Sequence, residues 1–309
     1  MKKCNYTLIF VLSFCLLISL FGCAEKPVPI NRGTAQTLSS LDIDPIQFGV
    51  SGDGISIDDY KVLFSKASLA KGDFDTEAFV SYTPTSVSAE KLISNLNLSQ
   101  ERQTESRVVH ENDAFSLDVY PNGNFSLFSK EKTAEITPIT LSDEACVEIA
   151  NEFLSENGLL CDDLVVSETI GQDKIVGKGG TTVIGKVITY YPKTNRNAAL
   201  FGNSKVSVRI SAEGLVTELI YNHLHYSNEE AFVLLDPEEA LEQARAQQDP
   251  TAIYFEASDE VPEELIIESI SIAYYENVMS EVPSRQPMYI FEGGNEETQF
   301  AIGVSAIKR

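Results

Sequence analysis

Apolar residues recur three and four positions apart in four stretches of the chain after residue 40, a spacing typical of amphipathic helices. The second stretch follows Ser86, the third follows Ser142, and the first follows Ser56, which is a suitable N-cap residue. The pattern therefore predicts four helices, whose apolar positions are Tyr60, Leu63, Phe64 and Ala67; Ala89, Leu92, Ile93 and Leu96; Cys146, Ile149, Ala150, Phe153 and Leu154; and Ala240, Leu241 and Ala244.

Apolar and polar residues alternate elsewhere, which is the spacing of half-buried strands. Phe115, Leu117 and Val119 alternate up to the turn sequence 121–123, and Phe125 and Leu127 continue after it, so this stretch predicts a hairpin. Similar patterns predict further strands at residues 164–170, 183–191, 205–210, 215–224, 266–275, 288–291 and 300–306.

Two segments that precede predicted helices resemble each other at a separation of 94 residues. Leu141-Ser142-Asp143-Glu144 precedes one helix and Leu235-Asp236-Pro237-Glu238 precedes the other. Ser142 and Asp236 are suitable N-caps, Pro237 fits the first helical position, and the acids suit the positive end of the helix dipole. Each helix is followed by strands that read as an antiparallel meander. The fold class expected is α+β, with tandem units of one helix packed on an antiparallel β-sheet meander.

This order of a capped helix, two acids, Ala-spaced apolar residues and a meander resembles PepSY-type domains, over about 170 residues from Thr140 to Lys308. A lipid-anchored tandem of this kind is similar to extracytoplasmic accessory proteins of Gram-positive bacteria, including the YycH/YycI type, which restrain a membrane sensor kinase. The resemblance implies binding and regulation of another envelope protein, and it implies no catalytic residue.

The first residues have the character of a bacterial lipoprotein signal. Lys2 and Lys3 precede an apolar run that ends in Leu20-Phe21-Gly22-Cys23, and this box predicts diacylation of the Cys23 sulfur before cleavage. An uncleaved anchor helix is the alternative, but the apolar run is shorter than the roughly 20 residues that span a bilayer. Ordinary secretion is a further alternative. We therefore expect a lipid-anchored protein on the extracytoplasmic face of the cell membrane.

These patterns divide the chain into five parts. We expect residues 1–22 to be the signal peptide and residues 23–40, which contain Pro27, Pro29 and Gly33, to be a tether. Residues 41–135 are predicted to form an N-terminal α+β domain, and residues 136–228 and 229–309 two PepSY-like α+β domains.

The net charge of −23 argues against polyanionic partners such as nucleic acid. Residues 1–22 hold Lys2 and Lys3 and no acid, so residues 23–309 carry a net charge of −25. Nucleic-acid binding needs clustered Lys and Arg, so no nucleic-acid partner is expected. The acids are spread along the chain, which is typical of a solvated surface, although a cation-binding role is also open.

Cys146 and Cys161 are the cysteines that remain after Cys23. An oxidising compartment would allow them to pair, but Cys146 lies early in a predicted helix and Cys161 follows its end. The helix would place Cys146 about 16 Å from its end near Asn157, so the chain to Cys161 would have to run straight back along the helix to reach the roughly 7 Å limit for a disulfide. We expect two free thiols.

His223 and His225 are the strongest candidates for a metal site. Residues two apart on a strand face the same side, so both imidazoles can reach one ion. Leu219 and Tyr221 share that face, and no cysteine is nearby in the sequence. The favoured interpretation is nevertheless two histidines at a strand end beside aromatic residues with no metal bound, and metal binding is the alternative.

Two other motifs fail on inspection. His110-Glu111 begins like a zinc-peptidase helix, but the second histidine is absent and the residues read as a strand start. Gly180–Lys186 has the spacing of a phosphate-binding loop, but Val187 replaces the Ser or Thr that holds magnesium. The chain therefore predicts no catalytic residue and no cofactor.

The leading hypothesis is a non-catalytic lipoprotein that binds another envelope protein. The alternatives are an extracytoplasmic enzyme with carboxylate chemistry and a cation- or ligand-sensing module.

Overall fold

The structure is a computed structural model that describes residues 61–65, 77–130, 137–177, 180–194, 198–246, 252–256, 264–294 and 299–308. Cys23, the predicted signal and the predicted tether lie outside the described residues. In the described part of the chain, no helix combines the length and the apolar character needed to cross a membrane.

Strands dominate the described residues, and three helices separate groups of them. The helices are α1 (Glu90–Asn95), α2 (Asp143–Glu156) and α3 (Pro237–Ala246). The strands are β1 (Lys61–Phe64), β2 (Glu77–Ser86), β3 (Ser99–Gln103), β4 (Val108–Glu111), β5 (Phe115–Val119), β6 (Phe125–Ser129), β7 (Leu164–Val166), β8 (Gly171–Gly177), β9 (Gly180–Pro192), β10 (Leu200–Gly202), β11 (Lys205–Ser211), β12 (Val216–Asn222), β13 (Leu224–Val233), β14 (Ala252–Glu256), β15 (Glu264–Glu276), β16 (Arg285–Gly294) and β17 (Gln299–Ser305).

The strands form two sheets, which we name sheet A and sheet B. Sheet B has the order β3-β4-β5-β6-β12-β11-β9-β7, with β8 also paired to β9. Sheet A has the order β1-β15-β16-β17-β14, with β10 on β15 and the β2–β13 ribbon joined to β16. Pairing is antiparallel except where β1 and β10 meet β15. The predicted mixed helix and antiparallel sheet class is therefore confirmed.

Strand pairing runs across the predicted domain limits. β6 pairs with β12 in sheet B, and β2 pairs with β13 in sheet A. Residues predicted as an N-terminal domain, 41–135, thus contribute strands to both sheets. The limit predicted at 228/229 lies inside β13, whose register with β2 runs from Leu224 to Val233.

Each sheet buries one face under a helix. Cys146, Ala150 and Leu154 are the buried residues of α2, and they join the core of sheet B with α1. α3 packs on β17 and buries Ala240, Leu241 and Ala244 in the core of sheet A. Of the apolar stripe predicted in α2, Ile149 and Phe153 are only partly buried.

The two longer helices begin where the sequence predicts. Ser142 Oγ accepts a hydrogen bond from Ala145 N at 3.2 Å, and Asp236 Oδ1 accepts one from Glu238 N at 3.0 Å. α2 starts at Asp143 and α3 at Pro237, 94 residues apart. The two helix starts therefore keep the 94-residue offset that is seen in the sequence.

The first predicted helix is wrong where it can be examined. Residues 61–64 form β1, which pairs with β15 in parallel so that Leu63 lies beside Ile266. Pairing with a strand 200 residues away overrides the local helical spacing. The hairpin of β5 and β6 is confirmed, and Gly123 occupies the turn position with φ +84°.

Candidate metal centre

The predicted histidine pair lies at the point where the chain crosses from one sheet to the other. β12 of sheet B ends at Asn222 and β13 of sheet A begins at Leu224, so His223 is the single residue between them. His225 is the second residue of β13 and pairs with Thr85 of β2. His223 is buried, with 1% of its surface exposed, whereas His225 is exposed.

The end of α2 carries a second segment to the same place. Leu159 N donates to Leu154 O at 2.7 Å and Gly158 N to Ser155 O at 3.0 Å, with Gly158 at φ +68°. These are the two bonds of a Schellman motif, which Gly stabilises because it has no Cβ. The motif buries Leu159 fully and directs the chain towards Cys161.

A tight turn then presents Cys161 and Asp163 together. Leu164 N donates to Cys161 O at 3.1 Å, which closes the turn. Lys193 holds the turn from outside, because its backbone N donates to Asp163 O at 2.6 Å and its Nζ to Asp162 O at 2.9 Å. Both functional side chains of this segment are partly buried.

Four potential ligands meet between these segments. One ligand atom each from Cys161, Asp163, His223 and His225 lies within 4.8 Å of the others. His223 Nε2 is 3.3 Å from Asp163 Oδ1, and Cys161 Sγ is 3.5 Å from His225 Nε2. Ligand bonds of 2.0–2.3 Å in a tetrahedral zinc site imply ligand separations of roughly 3.3–3.8 Å. These two separations fall in that range, whereas other ligand atoms of the cluster lie up to 4.8 Å apart, so an ion would have to draw the four side chains closer together.

Polar atoms in this cluster lack other partners in the described part of the chain. Both ring nitrogens of His223 and Oδ1 of Asp163 are buried without a hydrogen-bond partner. The 3.3 Å contact between His223 and Asp163 has the distance of an ion pair but not the geometry of a hydrogen bond. Buried unsatisfied groups typically cost about 1–3 kcal/mol each. A bound cation would satisfy one ring nitrogen of His223 and Asp163 Oδ1, and it would leave the other ring nitrogen of His223 without a partner among the described residues.

Tyr221 forms the inner wall of the cluster. Its ring stacks on Phe125 with centroids 4.7 Å apart, and its hydroxyl donates to Leu159 O at 3.0 Å. The same hydroxyl lies 3.5 Å from Cys161 Sγ. Burial raises the pKa of the Tyr221 hydroxyl, so it stays protonated as a donor beside the sulfur.

The same contacts also have the order of a thiol–imidazole–carboxylate triad. His225 Nε2 faces Cys161 Sγ at 3.5 Å, and its Nδ1 faces Asp163 Oδ2 at 3.9 Å. Burial raises the pKa of the Cys161 thiol, which opposes a nucleophilic role; a metal ligand must also be a thiolate, but a bound cation would itself lower the thiol pKa. A triad would also leave buried His223 without a role, and a metal site uses all four side chains.

Sequence reasoning found half of this cluster. It identified His223 and His225 but not Cys161 and Asp163, which are about 60 positions away in the chain. The signal available was a second pair of potential ligands two residues apart, as in the histidine pair. The sequence predicts Cys161 as a free thiol without a metal role, and within the described residues Cys161 and Cys146 are not paired with each other.

The third histidine and the prominent groove lie elsewhere. His110 is on β4, which β5 and β6 separate from β12. It forms part of a strand, as predicted, and not of a helix. A groove of about 920 Å³ beside α2 is lined by Phe153, Asp173 and Arg209 among others, and by none of the three histidines. Gly180–Lys186 lies in β9, so the phosphate-loop interpretation stays rejected.

Comparisons with known proteins add no identity. No protein-family model matches the chain, and no curated protein matches it.

Proposed function

We propose that this protein is a lipid-anchored extracytoplasmic protein that binds a transition-metal ion through Cys161, Asp163, His223 and His225. One observation carries the metal proposal: two distant chain segments bring four ligand side chains of different types within 4.8 Å of one another. The buried and unpartnered His223 ring supports it, because a solvated surface cluster has no such group.

Zn²⁺ is the ion that best suits these ligands. Zinc sites combine Cys, His and carboxylate ligands in a tetrahedron, whereas Mg²⁺ and Ca²⁺ require oxygen ligands only. A thiolate with two imidazoles also suits copper, so the affinities of the protein for zinc and for copper must be compared. Four protein ligands leave no open position in a tetrahedral ion, which favours a structural or sensing site over a catalytic one.

Anchoring at Cys23 would place this site outside the cytoplasm, at the end of a tether of residues 23–40. Lone thiols in such compartments are exposed to oxidation. A bound metal ion would engage the Cys161 thiolate and protect it. This proposal thus combines the non-catalytic role expected from the sequence with the cation-sensing alternative.

Metal titration of the full-length protein in detergent tests this function. We expect one Zn²⁺ per chain, and we expect His225→Ala to lose most of the affinity, because His225 is exposed and its removal leaves the core intact. His110→Ala is the matched control and should bind as the wild type does. In the Co²⁺ form, Cys161→Ser should lose a sulfur-to-metal charge-transfer band that Cys146→Ser keeps. Equal binding by His225→Ala and the wild type would contradict the proposal.

A second candidate function is the binding and regulation of another envelope protein, as the PepSY-type resemblance implies. The repeat favours it: α2 and α3 start 94 residues apart, and so do β11 (Lys205–Ser211) and β17 (Gln299–Ser305). This spacing supports the proposed tandem helix-on-meander units. Affinity capture from detergent-solubilised membranes, with and without a chelator, tests it, and recovery of no specific partner under either condition would count against it.

A further inference from the structure

We propose that Tyr226, Glu276 and Arg285 position the two ligand-bearing segments of the metal centre relative to each other. This inference rests on the proposed function, since it concerns how the same site is held in shape. None of these three residues was a candidate from the sequence, and none is among the four proposed ligands.

The three side chains form a continuous network beside the cluster. Arg285 Nε donates to Glu276 Oε2 at 2.8 Å, and Tyr226 Oη donates to Glu276 Oε1 at 3.0 Å. The guanidinium also lies over the Tyr226 ring, 5.5 Å from its centroid. Glu276 has no exposed surface, and 12% of the Arg285 side chain is exposed.

The network touches both ligand-bearing segments. Arg285 Nη1 donates to Lys193 O at 3.1 Å, and the Lys193 backbone N donates to Asp163 O at 2.6 Å. Tyr226 directly follows His225 on β13. Arg285 thus reaches the Cys161–Asp163 turn through Lys193 and reaches the His225 strand through Glu276 and Tyr226.

The two segments belong to different sheets, so their spacing needs such a connection. The Cys161–Asp163 turn leads into β7 of sheet B, whereas His225 and Tyr226 pair with β2 in sheet A. β15 and β16 of sheet A carry Glu276 and Arg285 as directly opposed residues. A buried ion pair gives little net stability by itself but imposes a specific geometry. Here that geometry sets the distance across which the ion binds.

Outer-shell groups that orient metal ligands typically change affinity 10- to 100-fold when removed. Tyr226→Phe keeps the ring against Arg285 and removes only the hydrogen bond to Glu276. We therefore expect Tyr226→Phe to weaken Zn²⁺ binding about tenfold, and Arg285→Lys, which cannot bond both Glu276 and Lys193 O in the same way, to weaken it more.

The experiment measures Zn²⁺ dissociation constants of full-length variants by competition with a chromophoric chelator, alongside thermal melts of the metal-free proteins. Tyr190→Phe is the control, because Tyr190 is also a strand tyrosine, more buried than Tyr226, whose hydroxyl donates instead to Asn151 Oδ1 on α2 at 2.9 Å. Positioning predicts weaker binding by Tyr226→Phe and unchanged binding by Tyr190→Phe.

The outcomes separate the two proposals. If the wild type binds Zn²⁺ and both Tyr226→Phe and Arg285→Lys bind it equally well, the positioning role is wrong and the metal site stands. A lower melting temperature without a change in affinity also overturns positioning, because it shows a purely structural role. If the wild type and Tyr190→Phe both fail to bind Zn²⁺, the metal function itself is wrong.

Discussion

His223 shows how a single residue can carry more information after folding than before it. Its neighbour two positions on made it a metal candidate, but many exposed histidine pairs share that spacing. What distinguishes it is that its buried ring has no hydrogen-bond partner among the described residues and lies 3.3 Å from a carboxylate oxygen of Asp163. Burial depends on the long-range packing of α2 and sheet B, so no local pattern reports it.

Cys23 is the residue on which the proposed lipid anchor depends. We expect Cys23→Ser to lose lipid modification, because the proposed anchor is attached to the Cys23 thiol, and to accumulate as precursor or released protein. Membrane fractionation and fatty-acid labelling measure this. Cys161→Ser is the control and should stay in the membrane fraction. A Cys23→Ser protein that is labelled and processed like the wild type would disprove the anchor.

At the scale of elements, short sequence patterns correctly predict helix starts and turns, because these depend on interactions between residues close in the sequence. The α2 and α3 starts follow from side chains that cap their own helices, and the β5–β6 turn follows from Gly123 at positive φ. The local apolar spacing in β1 predicts a helix, and this prediction fails because the strand that pairs with β1 is distant in the sequence. The joining of β3–β6 to β12 and the approach of Cys161 to His225 were missed for the same reason.

The α2 helix provides a test of packing against sheet B. Leu154 is fully buried in that core, so Leu154→Ala should lower the free energy of unfolding by about 3 kcal/mol. Phe153→Ala should cost less, because Phe153 is only partly buried and lines the groove beside α2.

Urea denaturation measures these differences. Leu160→Ala is the control, because Leu160 is 41% exposed and should change stability by no more than about 0.5 kcal/mol. If Phe153→Ala were more destabilising than Leu154→Ala, the packing of α2 described here would be incorrect.

For the whole molecule, the proposed metal centre lies where the chain crosses from β12 of sheet B into β13 of sheet A. Asp163 precedes β7 of sheet B and His225 follows the crossing into sheet A, so an ion shared between them links both sheets. Other contacts join the sheets as well: Asn122 and Asn124 on the β5–β6 turn both donate to Val278 O, beyond the end of β15. A bound ion would therefore strengthen a junction that already exists.

Zinc should consequently stabilise the fold and slow hydrogen exchange on both sides of the crossing. A ligand that binds only the folded state at 100 times its dissociation constant adds about 2.7 kcal/mol to the free energy of unfolding. We expect slower exchange in residues 159–166 of the sheet B side and in residues 224–228 and 82–86 of the β2–β13 ribbon. Hydrogen exchange with mass spectrometry measures this, with chelator-treated protein as reference and the distant strand β4, residues 108–111, as the internal control. Protection confined to residues 159–166 would show that the ion binds one segment and does not connect the sheets.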